Sequence, residues 1–362
     1  MTSLSAVVVT GREPVIPFSG TDGRVTATYE VEVHNVTPFP LTPTSAEVRA
    51  PDGRVLQRMG RSAVRSALAL PSVRGGVKVL GEGQVGILYL TVPFTSRAAV
   101  PSQLDTVVTV TGLPGGATYT SDAVPVPVSS LAPPVVGPPL EDGARYIAAD
   151  SCCDSPRHRR AMLPMANGQW LAQRFAVDWE QLDARNMTVS RGDPSDPAAY
   201  TVYGKRVIAA SDGTVVHVIE DQPDQKPGSL PAGLTPAQAD GNSVVLDMGG
   251  GLYALYAHLQ RGSVAVREGQ TLRRGQQLGL VGNSGNSSAP HLHFHVMDGP
   301  SPMTSEGVPY VIDAFTTTGR IADQEVFDTL ENTTKPLPTR RLDTDGPQRS
   351  AMPLNLDLVT FG

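Results

Sequence analysis

Three histidines occupy alternate positions in the short segment APHLHFHV, residues 289–296. Side chains alternate between the two faces of a β-strand, so His291, His293 and His295 are expected to share one face. Three imidazoles on one face crowd their ring nitrogens unless these converge on a divalent metal ion. The chain has seven histidines in all, so this concentration favours a metal site over three unrelated polar residues.

Most of the chain has the pattern of short β-strands separated by turns. Gly (36) and Pro (32) are abundant and 18% of the residues are charged, a composition typical of strands joined by tight turns. Apolar and polar residues alternate over residues 24–35, and similar runs recur at 85–92 and 105–112. Strands at this spacing predict an immunoglobulin-like β-sandwich over residues 1–132, which we expect to be a spacer or binding domain.

A proline-rich stretch divides this region from a second region of strands and long turns. Residues 133–143 are predicted to form an extended linker, because paired prolines stiffen the chain. Short strands around Gly-rich turns continue over residues 144–320, where the one helical pattern is at 312–317. The polar, Pro-rich sequence at 321–362 predicts an extended tail. The expected fold is therefore all-β.

Composition and charge argue against several functions. The net charge is −6 and no basic stripe is present, so a nucleic-acid partner is not expected. No apolar segment is long enough to span a bilayer, and the visible N-terminus lacks the pattern of a signal peptide. For the adjacent Cys152 and Cys153 the sequence leaves three alternatives open: free thiols, a strained redox pair or metal ligands. The sequence gives no prediction of oligomeric state.

Three segments, in this order, carry a resemblance to a known family: GKRVIAASDGTVV, GLYALYAHL and REGQTLRRGQQLGLVGNSGNSSAPHLHFHV. Over about residues 170–298 the chain resembles the lysostaphin-type, or LytM-type, zinc endopeptidases. The resemblance implies a core of antiparallel strands with long loops and a zinc ion in a groove. It also implies hydrolysis of a peptide bond in peptidoglycan, and hence an extracytoplasmic location.

Functional residues follow from the resemblance position by position. Asp178 and His293 match zinc ligands of the family. His258 and His291 match its catalytic histidines, which would handle protons and stabilise the developing oxyanion. The N-terminal domain and the tail lie outside the resemblance.

One zinc ligand of the family pattern is missing. The family has a histidine four residues before the acid that matches Asp178, but this chain has Arg174 there. The guanidinium group of arginine keeps its proton and has no acceptor site, so it cannot bind zinc.

Three interpretations of this departure remain open. In the first, zinc binds and another residue supplies the ligand: His158 or His295, with Cys152 and Cys153 as weaker candidates. In the second, the arginine occupies the cation site and pairs with the acid, and the domain is an inactive binding or regulatory module of the cell wall. In the third, zinc binds but turnover is poor. The surviving histidines favour metal binding and hydrolysis.

Overall fold

The computed structural model describes residues 5–12, 14–71, 73, 76–185 and 187–362. Strands dominate this part of the chain, so the predicted all-β class is confirmed. The chain forms two compact units. The first consists of residues 1–19, 23–133 and 160–164, and the second of residues 20–22, 134–159 and 165–362. Within the described residues, no helix has both the length and the apolar character needed to cross a membrane.

The N-terminal unit is built from two five-stranded sheets. Its elements are β1 (Val7–Gly11), β2 (Phe18–Ser19), β3 (Val25–Asn35), β4 (Thr42–Arg49), β5 (Val55–Met59), α1 (Arg61–Ala67), β6 (Leu68–Ala69), β7 (Val85–Phe94), β8 (Gln103–Leu113), β9 (Ala117–Thr120) and β10 (Val124–Pro127). One sheet has the order β1-β3-β7-β6, with β2 beside β3. The other has the order β10-β8-β4-β5, with β9 beside β8.

Alternation along the strands explains how these two sheets pack. Val31 and Val33 of β3 and Val108 and Val110 of β8 belong to one buried hydrophobic cluster. Each pair is separated by a polar residue that points to the other face, as the period of a strand requires. The two sheets therefore form a sandwich, and its immunoglobulin-like type stays a prediction.

The remaining elements belong to the second unit, except that Leu163 and Pro164 of β13 belong to the first. They are β11 (Val135–Val136), β12 (Gly143–Ala149), β13 (Leu163–Met165), β14 (Gly168–Trp170), β15 (Val177–Gln181), β16 (Arg206–Ile208), β17 (Gly213–Ile219), β18 (Asn242–Gly249), β19 (Leu252–Leu259), β20 (Thr271–Leu272), β21 (Gln277–Leu280), β22 (Leu292–Met297), β23 (Gly307–Val308), β24 (Val311–Ile321), α2 (Gln324–Leu330), β25 (Thr339–Arg340), β26 (Gly346–Ala351) and β27 (Asp357–Phe361). Short 3₁₀ turns at 197–199 and 236–238 lie in its long loops.

One large sheet organises this unit. Its main path runs β11-β24-β27-β12-β15-β22-β19-β18-β17-β20. The histidine-bearing strand β22 lies between β15 and β19 and is antiparallel to both. All six of its residues are buried, the apolar Leu292, Phe294 and Val296 on one face and histidines on the other. A strand covered on both faces gives its histidines a position shielded from solvent.

The predicted extended tail, residues 321–362, is wrong. This segment includes helix α2 and strands β25, β26 and β27. β27 is hydrogen-bonded between β24 and β12, and Leu358 and Phe361 are buried. In this segment apolar residues alternate between the prolines, and their burial lets the segment complete the sheet. The helical pattern at 312–317 is likewise part of β24, where strand pairing on both sides overrides local propensity.

The segment predicted as a linker, residues 133–143, also joins the second unit. Val135 and Val136 pair in parallel with β24, and Leu140 forms a bridge with Val207. Its prolines therefore hold an extended chain that the sheet uses as an edge.

Candidate functional site

Two neighbouring strands, β15 and β22, carry the acid and two of the histidines named from the sequence. Asp178 lies opposite His293 in register, and its Oδ1 is 2.8 Å from His293 Nδ1. His291, immediately before β22, faces the same carboxylate, with its Nε2 3.4 Å from Asp178 Oδ1. Strand alternation therefore places His291 and His293 around a single carboxylate.

His258 joins this group because the backbone departs from regular strand geometry at the end of β19. Its neighbour Ala257 pairs with His293, so in a regular strand His258 would face the opposite side of the sheet. At His258 the φ angle is +61°, which interrupts the alternation. The His258 ring lies 4.7 Å from the ring of His291 and 5.8 Å from that of His293, centroid to centroid.

The Gly-rich turn after β21 holds His258 in place. His258 Nδ1 donates to the carbonyl oxygen of Ser284 at 2.7 Å, and its backbone N–H donates to the carbonyl oxygen of Asp240 at 2.9 Å. The close approach of these segments needs glycine at position 241, where φ is +61° and a Cβ would lie 2.5 Å from Ser284. Burial raises the pKa of the Asp240 carboxyl to about 7.

His158 reaches the carboxylate from a part of the chain distant in sequence. It lies in the 150–160 loop, which follows β12, and its Nε2 is 3.2 Å from Asp178 Oδ2. Its Nδ1 lies 2.9 Å from the carbonyl oxygen of Asp150 and 3.2 Å from that of Ala176. Carbonyl oxygens only accept hydrogen bonds, so Nδ1 carries a proton and Nε2 is turned toward Asp178.

The side chains form two adjoining groups of potential metal-binding atoms. One atom each of His158, Asp178 and His293 lie within 4.8 Å of one another, and the same is true of His258, His291 and His293. All four histidines are buried. His293 belongs to both groups, so one group contains a carboxylate and the other consists of imidazoles alone.

His295 lies behind His293 rather than beside Asp178. Its Nδ1 is 3.0 Å from His293 Nε2, the ring nitrogen opposite the one that faces the carboxylate. The ring of His295 is fully buried, and its Nε2 has no hydrogen-bond partner among the described residues. Of the two replacement ligands predicted, His158 is therefore the one that faces Asp178.

Arg174 is turned to a different neighbour. Its Nε donates to the carbonyl oxygen of Gly307 at 2.7 Å, and its guanidinium lies over the ring of Phe175, 5.3 Å from the centroid. The ion-pair partners of Asp178 in the described structure are His158, His291 and His293. The predicted pairing of the arginine with Asp178 is therefore wrong.

Cys152 and Cys153 form a disulfide with each other across a cis peptide bond. The predictions of free thiols and of thiolate zinc ligands are wrong, because bonded sulfurs offer no thiolate. The disulfide lies within the 150–160 loop, between Asp150 and His158. Arg159 Nη1 donates to the carbonyl oxygen of Cys153 at 2.7 Å, which further ties this loop together.

Charges around Asp178 favour a cation at its carboxylate. Burial alone would raise the pKa of Asp178, but His158 and His291 hold it well below its usual range. Burial would likewise lower the pKa of His158, yet the adjacent carboxylate raises it to about 9. The site thus retains positive charge on His158 beside the Asp178 carboxylate.

The pKa values of His258, His293 and His295 are lowered, which favours their neutral form. Burial, followed by the nearby His291 and His293, lowers the pKa of His258 well below its usual value. Burial also lowers the pKa of His293 and, together with His293, that of His295. Neutral imidazoles have a lone pair on one ring nitrogen, which is what a proton acceptor or a metal ligand needs.

Sequence reasoning missed the groups that orient these rings. Backbone carbonyls of Asp150, Ala176 and Ser284 accept from ring nitrogens, and the carbonyl of Ala289 accepts from His291 Nδ1 at 2.7 Å. Backbone carbonyls leave no signature in side-chain types. The one available signal was Asp150, an acid shortly before a histidine loop.

Comparison with known proteins supports the resemblance seen in the sequence. Residues 198–305 match the sequence profile of "Peptidase family M23". The lysostaphin-type resemblance is confirmed over these residues. The matched residues include His258, His291, His293 and His295 and leave out both His158 and Asp178.

Two curated relatives match over short segments. Peptidoglycan DD-endopeptidase ShyA of Vibrio cholerae is 40% identical over 57 residues, which is 16% of this chain and 13% of that protein. An uncharacterized metalloprotease of Haemophilus influenzae is 35% identical over 95 residues, 26% of this chain and 16% of that protein. The matches therefore cover a small part of each relative's own length.

Two solved structures are similar to parts of this chain. The catalytic domain of lysostaphin from Staphylococcus simulans is 21% identical with a TM-score of 0.24, covering 46% of this chain and 88% of that one. A zinc-containing peptidase from Vibrio cholerae is 14% identical with a TM-score of 0.28, covering 77% of this chain and 81% of that one.

Proposed function

We propose that this protein is a zinc-dependent peptide hydrolase that cleaves peptides of peptidoglycan. His158, Asp178 and His293 are the proposed zinc ligands, and His258 and His291 the proposed catalytic histidines. The observation that carries the proposal is the convergence of His158 Nε2 and His293 Nδ1 on the two oxygens of the Asp178 carboxylate, 3.2 Å and 2.8 Å away.

The donor set fits zinc. Two imidazole nitrogens and a carboxylate oxygen are the ligands of many catalytic zinc sites, which keep a further position for water or substrate. The proton on His158 Nδ1 is held by two carbonyl oxygens, which leaves Nε2 to bind the ion. In the same way His293 Nε2 faces His295, which leaves His293 Nδ1 on the Asp178 side. The positive charge that Asp178 now draws from His158 would come from the ion instead.

The group without the carboxylate suits proton transfer. When bound, zinc supplies a Lewis acid that polarises the scissile carbonyl and makes water more acidic. His258 is neutral and donates from Nδ1 to the Ser284 carbonyl, so its Nε2 can accept a proton from attacking water.

His291 has the complementary arrangement. Its Nδ1 donates to the carbonyl of Ala289, and its Nε2 lies 3.4 Å from Asp178 Oδ1. Nε2 therefore faces this carboxylate, and His291 is proposed to stabilise a developing oxyanion and to protonate the leaving amine.

The substrate class rests on the relatives. Two of the curated relatives are named peptidoglycan DD-endopeptidases. We extend that substrate class to this chain, and with it an extracytoplasmic location. The Cys152–Cys153 disulfide is in keeping with an oxidising compartment.

Metal analysis and a cleavage assay on the same purified protein test the proposal. We expect about one zinc per chain and release of peptides from isolated, cross-linked peptidoglycan. A chelator should abolish release and zinc should restore it. Asp178→Ala should remove both metal and activity, whereas His217→Ala, at an exposed site beside Glu268, should change neither.

Two results would contradict the proposal in different ways. Wild-type protein that binds no zinc at stoichiometric concentration would favour the inactive binding module. Full zinc occupancy without peptide release from any cross-linked substrate would retain the metal site and remove the hydrolase.

A further inference from the structure

The proposed zinc ligand His158 stands on a loop that has its own set of supports. The 150–160 loop lies outside the residues that match the peptidase family. Its supports in this chain are contacts made by residues 150–157. Those contacts centre on the Asp150 carboxylate, which is buried.

Asp150 acts on the loop through both its backbone and its side chain. Its backbone carbonyl accepts from His158 Nδ1 at 2.9 Å. One carboxylate oxygen accepts from the Ser155 hydroxyl at 2.8 Å, and the other lies 2.9 Å from Arg157 Nη1. Asp150, which accepts a hydrogen bond from the His158 ring, is thus also bonded to Ser155 and Arg157, which shortly precede His158 in the chain.

Arg157 then connects the loop to a separate element. Its second terminal nitrogen, Nη2, lies 2.9 Å from Asp328 Oδ1 on helix α2. A planar guanidinium can bridge two carboxylates at once, which a lysine ammonium on a flexible stem does less well. Helix α2 belongs to the segment for which the sequence predicted an extended tail.

We propose that Asp150, Arg157 and Asp328 are positioning residues that hold His158 as a zinc ligand, with helix α2 as the fixed end of the chain of contacts. The inference rests on the proposed zinc site. It assigns to residues 324–330 a part in metal binding that acts through the contact of Asp328 with Arg157.

Charge balance supports this arrangement. An uncompensated guanidinium next to the ligand would oppose a divalent ion. Here Arg157 lies between the carboxylates of Asp150 and Asp328, and the first of these is 3% exposed. Arg157 can therefore hold the loop in place, because the carboxylates of Asp150 and Asp328 offset its positive charge.

Zinc affinity of the full chain, measured by competition with a chromophoric chelator, tests the proposal. Arg157→Ala and Asp328→Asn should each weaken zinc binding about 10- to 100-fold, the range typical of groups that orient a ligand. The zinc affinity of Arg157→Lys should lie between that of Arg157→Ala and that of the wild type. The visible spectrum of the cobalt-substituted protein should also change in Arg157→Ala, since the geometry at His158 relaxes.

A matched control separates this role from general stabilisation. Arg191 makes a similar pair with the buried Asp183, at 2.8 Å, elsewhere in the same unit. Arg191→Ala should lower the melting temperature by a comparable amount and leave zinc affinity unchanged. In a His158→Ala background, Arg157→Ala should have no further effect on zinc affinity.

The outcomes are distinguishable. Wild-type zinc binding with unchanged affinity in both Arg157→Ala and Asp328→Asn overturns the positioning role alone. Equal losses in Arg191→Ala and Arg157→Ala also overturn it, because the effect would then be stability. Absence of zinc binding by the wild type overturns the zinc site and the positioning role together. Asp328 is 40% exposed, so Asp328→Asn is the variant to use if Arg157→Ala fails to fold.

Discussion

The family-matched segment, residues 198–305, and the segments that flank it contribute different halves of the candidate site. The matched segment supplies His258, His291 and His293, whose rings are set by strand ends and by a Gly-rich turn. The flanking segments supply Asp178 from β15 and His158 from the 150–160 loop. His293 is the one side chain that belongs to both groups of donor atoms.

The two halves also differ in the elements that hold their residues. Of the proposed proton-handling histidines, His258 lies near the end of β19, which pairs with β18 and β22, and His291 lies immediately before β22. The proposed metal-binding half needs a nitrogen beside Asp178, and His158 Nε2 lies there. A loop can deliver that nitrogen from another sequence position, and Arg174 can then turn away to Gly307.

Removing His158 tests the flanking half most directly. His158→Ala should weaken zinc binding on the order of 10²- to 10³-fold, because one of three protein ligands is lost. Peptide release at limiting zinc should disappear with it. Competition titration measures the affinity, and His217→Ala is the control. Unchanged affinity would leave His258, His291 and His293 as the binding group and would reverse the comparison.

Removing His258 tests the matched half. His258→Ala should reduce the rate of peptide release about 10²-fold or more, since a general base is lost. Zinc content should stay at the wild-type level, because His258 is outside the carboxylate-containing group. Loss of zinc in this variant would show that the two halves do not divide the work as proposed.

Zinc should stabilise the fold through both halves at once. At a free zinc concentration 100 times the dissociation constant, the free energy of unfolding should rise by about 2.7 kcal/mol. Thermal denaturation with and without chelator measures this. His158→Ala should lose the gain at the same zinc concentration, whereas His258→Ala should keep it.

The smallest expected effect concerns the support of His258. The pKa of the Asp240 carboxyl is raised to about 7 by burial, above its unfolded value. A raised carboxyl pKa means that the folded state retains its proton longer, so stability falls as pH rises through this interval. Between pH 5 and 6.5 the wild type should lose about 2 kcal/mol relative to Asp240→Asn.

Urea denaturation at several pH values measures this difference, and zinc affinity serves as its control. Asp240 contacts the site through the backbone N–H of His258, so zinc affinity should stay unchanged in Asp240→Asn. If the free energy of unfolding changes with pH in the same way in both proteins, Asp240 is not the cause of the loss of stability.

Much of the site could be predicted from local patterns in the sequence. Period-two alternation placed His291 and His293 together, and the family resemblance pointed to Asp178 and His258. The register between β15 and β22 then brings the acid opposite His293. These residues could be named because each lies on or next to a strand whose pattern is strong.

The errors concern contacts between distant segments. The segment at 321–362 reads as polar and Pro-rich, yet β27 gains partners on both sides in the sheet. The alternatives for the missing ligand stayed open because nothing local distinguishes His158 from His295. One faces Asp178 and the other faces the far nitrogen of His293.

The sequence by itself determined that this chain is all-β and that it carries a lysostaphin-type histidine cluster from which one family ligand is absent. Both conclusions depend on periodicity and motif, which short stretches of chain contain. Only the tertiary structure decided which side chain stands beside Asp178. That choice depends on where β12 ends, how Asp150 turns the loop and how Arg157 reaches helix α2, and these contacts join residues far apart in the chain.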